Sequence, residues 1–271
     1  MSRLVIIIPF FKRHSLTKVV FRHYRLLQRD WQHGQIELLA VGSEGDVSRH
    51  LAESEGLDYI ECANRPLDAK YECGFLCAQE YHPDAVALVG SNDIISGEYF
   101  ANAMTAFAEQ GVDSTGLLDC YLVDLPTRRM SYWPGYSKNS IGYHRDGTRS
   151  RQGESIAAGR TFSRNILEKM HWRPFLADQR ISEDLLNDDE TNIDCLNNHA
   201  ATILNWRMAD VDCHYWNIKS EFDLNPFSAF ELAYGADLKD VGDQTQAFWA
   251  CHYPHLLFAS SMPRRMLYSF W

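Results

Sequence analysis

No apolar run in this chain approaches the ~18 residues that a membrane-spanning helix needs. The longest early run, Leu4-Val5-Ile6-Ile7-Ile8, leads straight into Pro9 and is too short for a signal-peptide core. No CxxC pair occurs among the seven cysteines (Cys62, Cys73, Cys77, Cys120, Cys195, Cys213, Cys251), and their number is odd. That excludes a simple disulfide framework and a zinc ribbon, and a reduced, cytoplasmic protein is the expectation. No glycine-rich phosphate loop follows the first strand near Pro9, which counts against a nucleoside-triphosphate loop. Internal repeats and low-complexity linkers are also missing.

What is present is ordinary for a globular chain. The 271 residues are 45% hydrophobic and 23% charged, enough for one large domain or one domain with an appendage. The net charge of -10 is unevenly spread. Residues 1–35 carry seven Lys/Arg against the single acid Asp30, and residues 125–173 carry ten against three. Two basic stretches in an acidic chain suit a local anionic ligand such as phosphate or nucleic acid. A solvated basic face is the equal alternative, because clustering in sequence need not become clustering in space.

The first ninety residues alternate strand and helix. Leu4–Ile8 reads as a buried parallel strand. Ser15 caps a helix whose apolar residues Leu16, Val20, Tyr24 and Leu27 recur at helical spacing. Strands are expected at 36–41, 57–61 and 85–89. Helices are expected at 46–55, with Val47 and Leu51 inward, and at 67–81. The alternation predicts an α/β fold: a mostly parallel sheet flanked by helices. In such sheets ligands bind along the strand C-termini, here Pro9 to Arg13, Val41 to Asp46 and Gly90 to Asp93. A helix near 97–110 and a strand near 116–124 follow. Residues 126–155 read as a long loop, and 163–170, 182–187 and 190–204 as helices. The last seventy residues are rich in aromatic side chains.

The order of the short motifs is more specific than any one of them. Ile8-Pro9-Phe10 ends the first strand, and Gly42-Ser43-Glu44-Gly45-Asp46 follows the second. Lys70 lies in the third helix, and Gly90-Ser91-Asn92-Asp93 follows the fourth strand. Downstream come Gly159-Arg160, Arg164, the acidic run Asp188-Asp189-Glu190, and His214-Tyr215-Trp216-Asn217-Ile218-Lys219. In this order the sequence resembles the family 2 glycosyltransferases of the GT-A fold, over roughly residues 3–220. The resemblance implies a Rossmann-like nucleotide-sugar transferase domain at 1–220 and an aromatic-rich C-terminal extension at 221–271 packed on it.

It also implies roles. Pro9, Phe10, Glu44, Asp46, Lys70, Ser91, Asn92, Asp93, Arg160 and Lys219 fall where the family meets its donor. Gly159, Arg164 and Trp216 fall on the acceptor side. Asp189, with Asp188 and Glu190 beside it, falls where the family has its general base. Asp93 and His214 fall at the divalent metal, Mn²⁺ or Mg²⁺, although Ser91 replaces the first Asp of the Asp-x-Asp motif. Each position has a plainer reading. Asp93 suits a turn, the 188–190 acids suit a helix N-terminus, and His214 among aromatics suits a packed histidine.

The implied reaction is inverting transfer of a sugar from a nucleoside-diphosphate sugar, UDP-sugar first, to an acceptor hydroxyl. The acceptor is either a glycan or a hydroxymethylated base in phage DNA. The second option draws on the aromatic residues Tyr132, Trp133, Tyr136, Tyr143 and Trp172 interleaved with the basic stretch. A nucleotidyltransferase and a binding protein that kept the fold without catalysis are the alternatives.

Overall fold

In this computed structural model the described residues are 2–127, 129–144, 147–175, 188–220, 226–235 and 237–241. The first half follows the alternation expected: β1 (Arg3–Pro9), α1 (His14–Asp30), β2 (Gln35–Gly42), α2 (Asp46–Ser54), β3 (Asp58–Glu61), α3 (Leu67–Ala78) and β4 (Ala85–Leu88). Then come β5 (Asp93–Ile95), α4 (Gly97–Glu109), β6 (Ser114–Leu117), β7 (Cys120–Asp124), β8 (Arg129–Trp133), β9 (Ile141–His144) and β10 (Gly147–Ser150). The remaining elements are β11 (Thr161–Ser163), α5 (Arg164–Lys169), α6 (Asp188–Asn198), β12 (Ile203–Trp206), β13 (Tyr215–Lys219), α7 (Phe227–Tyr234) and β14 (Lys239–Asp240).

The main sheet has seven strands in the order β12-β6-β11-β4-β1-β2-β3. Strand β1 is central and pairs in parallel with both β2 and β4, Ile6 opposite Leu38 and Ile7 opposite Leu88. Only β11 runs against its neighbours β4 and β6. The apolar run of β1 is continuous because both of its faces are covered. Leu4, Ile6 and Ile8 enter one core with Phe21 and Tyr24 of α1, and Val5 and Ile7 enter the other with Phe75 of α3 and Phe162. Side chains alternate across a strand, so one run feeds two cores.

A second, five-stranded sheet has the order β14-β8-β7-β13-β5. Its strand β13 runs antiparallel to β5 and parallel to β7. The chain passes from the first sheet to the second through Gly90-Ser91-Asn92. Ile218 N donates to Asn92 O at 2.8 Å, and Asn92 Nδ2 donates to Ile218 O at 3.0 Å, fastening β13 there.

Four local expectations are corrected. Helix α1 starts at His14 behind Arg13, so Ser15 lies inside its first turn and does not cap it. Val47 of α2 is 57% exposed, while Ser48 and Ala52 form the buried face. Residues 126–155 are not one loop, since they contain β8, β9 and β10. The helix expected over 190–204 ends at Asn198, and β12 follows and pairs with β6. The helix expected at 182–187 lies outside the described residues. Of the 221–271 extension, α7 and β14 are described, and Phe230 and Tyr234 of α7 pack on Trp133. No helix among the described residues is long and apolar enough to cross a membrane.

Candidate functional site

The strand C-termini of β1, β2 and β4 open onto one edge, and the buried Lys70 and Asp93 lie there. Lys12 and Arg13, directly after β1, both adopt the left-handed backbone conformation, with φ of 55° and 50°. Non-glycine residues resist that region, so the surrounding contacts must hold them. Lys12 N donates to Glu44 Oε2 at 2.7 Å. The His14 ring meets the same oxygen at 2.9 Å. Burial raises the Glu44 carboxyl, but these partners outweigh it and leave the group below its ordinary value. Arg13 turns inward, and its Nη2 donates to Ser91 Oγ at 2.9 Å. Burial lowers the Arg13 guanidinium, opposed by Asp93 and Tyr71.

Lys70 enters from α3 and is 1% exposed. Its Nζ donates to Phe10 O at 2.6 Å and to Asn64 Oδ1 at 3.1 Å. Desolvation pulls its ammonium down to about 8, opposed by Cys62, Glu44 and Glu61 and reinforced by the nearby charge of Arg13. Phe10 itself is a packing residue, edge-on to Phe21 at 5.3 Å. Pro9 ends β1 opposite Val41. Ser43 Oγ, next to Glu44, is buried with no hydrogen-bond partner among the described residues. Asp46 is exposed at the start of α2.

Asp93 opens β5 and is 3% exposed. Its Oδ1 accepts from Tyr215 OH at 2.9 Å and from Asn217 Nδ2 at 2.6 Å, and its Oδ2 accepts from Gly90 N at 2.9 Å. Burial raises the carboxyl, while Asn217, Tyr215, Lys219 and the Gly90 amide stabilise the charged form. Lys219, at the end of β13, faces Asp93 from the second sheet, with its Nζ 4.5 Å from the centroid of the Phe230 ring. Burial lowers Lys219 to about 8, opposed by Asp93 and Cys120 and reinforced by Arg13. Arg13, Lys70 and Lys219 thus come from the segment after β1, from α3 and from β13 to the same strand edge, each of the lysines feeling the Arg13 charge.

The other expected positions lie elsewhere or serve the scaffold. Arg160 is buried: its Nε donates to Ser155 Oγ at 3.0 Å, its Nη2 to Ser155 O at 2.7 Å and its Nη1 to Asn192 Oδ1 at 3.1 Å. It therefore ties the 155–160 segment to α6. Gly159, with φ of 87°, donates from its N to Leu88 O at 2.7 Å and accepts from Tyr99 OH at 2.6 Å. A Cβ there would stand 2.6 Å from Ile95 Cδ1, so no side chain fits. Arg164 lies at the opposite end of β4, where its Nε donates to Pro83 O at 2.6 Å and its Nη2 pairs with Asp84 at 3.6 Å. Trp216 is 1% exposed, in the core between β5 and β7. The backbone of Asp188, Asp189 and Glu190 opens α6, and their side chains lie outside the described residues.

Asp93 and His214 do not meet. The His214 amide donates to Ser96 Oγ at 3.0 Å, and its ring stacks on Trp216 at 5.4 Å. Ser96 is three residues from Asp93, about 10 Å along an extended chain. Among the described residues no group of three His, Cys, Asp or Glu is placed to share a metal. The described residues around Asp93 do not fit a divalent cation. Among them Asp93, already holding three hydrogen-bond donors, faces the cations Arg13 and Lys219, which repel a further positive charge.

The second basic stretch is largely matched by acids. Arg129 meets Glu231 at 2.7 Å, Arg149 meets Asp194 at 3.3 Å and Arg151 meets Glu154 at 2.9 Å. Lys169 and Arg173 approach Asp113 and Glu72 at 3.9 and 4.0 Å. Among the described residues the clustering seen in sequence is not one open cationic face.

Sequence reasoning did not single out Arg13, Tyr215 or Asn217. The strand-edge rule covers Arg13, which lies in the Pro9–Arg13 segment. Tyr215 and Asn217 gave no signal, because only the pairing of β13 with β5 brings them to Asp93.

The two-sheet architecture is the GT-A fold. The chain is similar to the S. aureus TarS fragment 1-349 in complex with UDP-GlcNAc, at 14% identity and a TM-score of 0.52, over 82% of this chain and 60% of that one. It is also similar to mannosyltransferase PcManGT from Pyrobaculum calidifontis, in complex with GDP-Man and Mn²⁺, at 12% identity and a TM-score of 0.50, over 87% of this chain and 61% of that one. This chain thus spans about three fifths of the length of the structures it resembles. No family model matches the sequence, and no curated protein does either.

Proposed function

We propose that this protein transfers a sugar from a nucleoside-diphosphate sugar to an acceptor hydroxyl. One observation carries the reading: Arg13, Lys70 and Lys219 converge on the strand edge of a GT-A fold. Glu44, Glu61 and Asp93 oppose these cations, but Glu44 and Asp93 already hold other donors, so the guanidinium and ammonium groups at this edge still suit an anionic ligand. A diphosphate supplies the charge, and TarS and PcManGT, which share the fold, were solved with UDP-GlcNAc and GDP-Man. Cations aimed at the departing diphosphate lower the barrier by meeting charge as it develops.

The acceptor hydroxyl needs a base, and the start of α6 offers Asp188, Asp189 and Glu190. In this reading Asp189 removes the acceptor proton, giving an inverting displacement. A UDP-sugar remains the first donor to try. The pairing of the second basic stretch with acids favours a glycan acceptor over a DNA base. The reading routes no step through a divalent cation.

The test is release of nucleoside diphosphate from a panel of nucleotide sugars, with glycan and hydroxymethylated-DNA acceptors in separate arms. Release from one donor, abolished by Asp189→Asn while donor binding persists, supports the reading. Turnover unchanged in Asp189→Asn moves the base to a neighbouring acid. If no donor is bound or cleaved, the transferase reading fails.

A further inference from the structure

The three cations do not play equal parts. Lys70 is turned toward the β1 end, where the Phe10 carbonyl and Asn64 accept from it. Arg13 and Lys219 instead lie beside the Ser91-Asn92-Asp93 turn, Arg13 from the segment after β1 through its bond to Ser91 and Lys219 from the end of β13, two residues beyond Asn217 opposite Asp93. This is the position where a carboxylate pair would grip a metal in the sequence motif that Ser91 interrupts. Here Ser91 hydrogen-bonds a guanidinium, and Asp93 is spent on Tyr215, Asn217 and Gly90.

We propose that Arg13 and Lys219 take the place of a divalent cation, so that the diphosphate binds through a guanidinium and an ammonium without metal. The inference rests on the nucleoside-diphosphate reading above and adds how the charge is met.

Three features support it. A guanidinium presents a planar fork that matches two phosphate oxygens, and an ammonium adds a point charge. Two fixed cations are complementary to a diphosphate, whereas they would repel a divalent metal. The placement is also fixed. Arg13 is held by a left-handed backbone and its bond to Ser91. Lys219 is held by β13 pairing with β7 and by the Phe230 ring. Fixed charges need no rearrangement when the leaving group departs. Asp93 then acts as a positioning residue, setting the distance between the two cations.

Calorimetric binding of UDP and GDP to the full chain, in EDTA and again with excess Mn²⁺, tests the inference. The expected result is equal affinity in both conditions. Arg13→Gln and Lys219→Met should each weaken diphosphate binding by about tenfold or more, a loss the size of one charge-assisted contact. Arg13→Lys should recover part of that loss. Binding that appears only with Mn²⁺, or tightens about tenfold with it, overturns the inference and leaves the transferase reading standing. Variants that melt like the parent and bind UDP and GDP as the parent does also overturn it. Absence of nucleotide binding in both conditions overturns the inference and the transferase reading together. If a variant fails to fold, the EDTA comparison on the parent chain still decides.

Discussion

Lys70 places a full charge where almost no water reaches it, and that has a measurable cost. Its folded value of about 8 lies below the ordinary 10.5, so the unfolded chain binds more protons between those limits. The cost is fully present below about pH 8 and is relieved as pH rises toward 10.5, by roughly 3 kcal/mol. Urea unfolding of the parent and of Lys70→Met should show it: the stability difference between them narrows across that window. Nucleotide affinity of the parent should move the other way, falling as the ammonium is lost. Gly90 makes a second prediction of this size. A Cβ there would run into Asp93 Oδ2 and stand 3.1 Å from Asn92 Oδ1. Gly90→Ala should cost about 1–3 kcal/mol through overpacking. It should also weaken UDP binding, because the carboxylate between Arg13 and Lys219 must move. Thermal melting and calorimetry on one variant read both effects.

One buried arginine ties helix α6 to the 155–160 segment. Arg160 reaches Asn192 Oδ1, and Asn192 Nδ2 in turn donates to Pro174 O at 2.8 Å. Asn192 is one turn along from the acids that open the helix. Asn192→Ala should therefore lower turnover several-fold while donor affinity stays near that of the parent, a split that steady-state kinetics and binding measurements separate. Arg164→Ala, at the far end of β4, should leave both unchanged. The same elements show what could be read from sequence. Strands β1, β2 and β4 were legible as short apolar runs and helix α1 by its period, and their order specifies a parallel sheet. Sequence placed the edge where Glu44, Lys70 and Asp93 gather for that reason. The second sheet was not legible. Its strand β5 has three residues, and its partner β13 lies more than a hundred residues away, so no local period announces either. Trp216 looked like an acceptor platform because a tryptophan beside a histidine reads the same whether it is exposed or, as here, buried between two strands.

Across the whole molecule, charge is more evenly cancelled than the sequence suggests. The net charge is -10, and acids meet most of the described cations of the second basic stretch. Duplex DNA should therefore bind weakly or not at all at moderate salt, with a shallow salt slope, whereas a nucleoside diphosphate should bind at its localised site. Saturating UDP to about a hundred times its dissociation constant should stabilise the fold by about 2.7 kcal/mol, visible as a raised melting temperature. One further consequence comes from the turn that joins the two sheets. Asp93 fastens β5 to β13 through Tyr215 and Asn217 while it also stands between two cations. Ser91→Asp would restore the familiar spelling of the motif, but its new carboxylate would meet the Arg13 guanidinium that Ser91 now holds. The expected product of that single change is an ion pair, with no gain in Mn²⁺ affinity by titration. Recovering a metal requires exchanging Arg13, Ser91 and Lys219 together, while the carboxylate that ties the sheets stays in place.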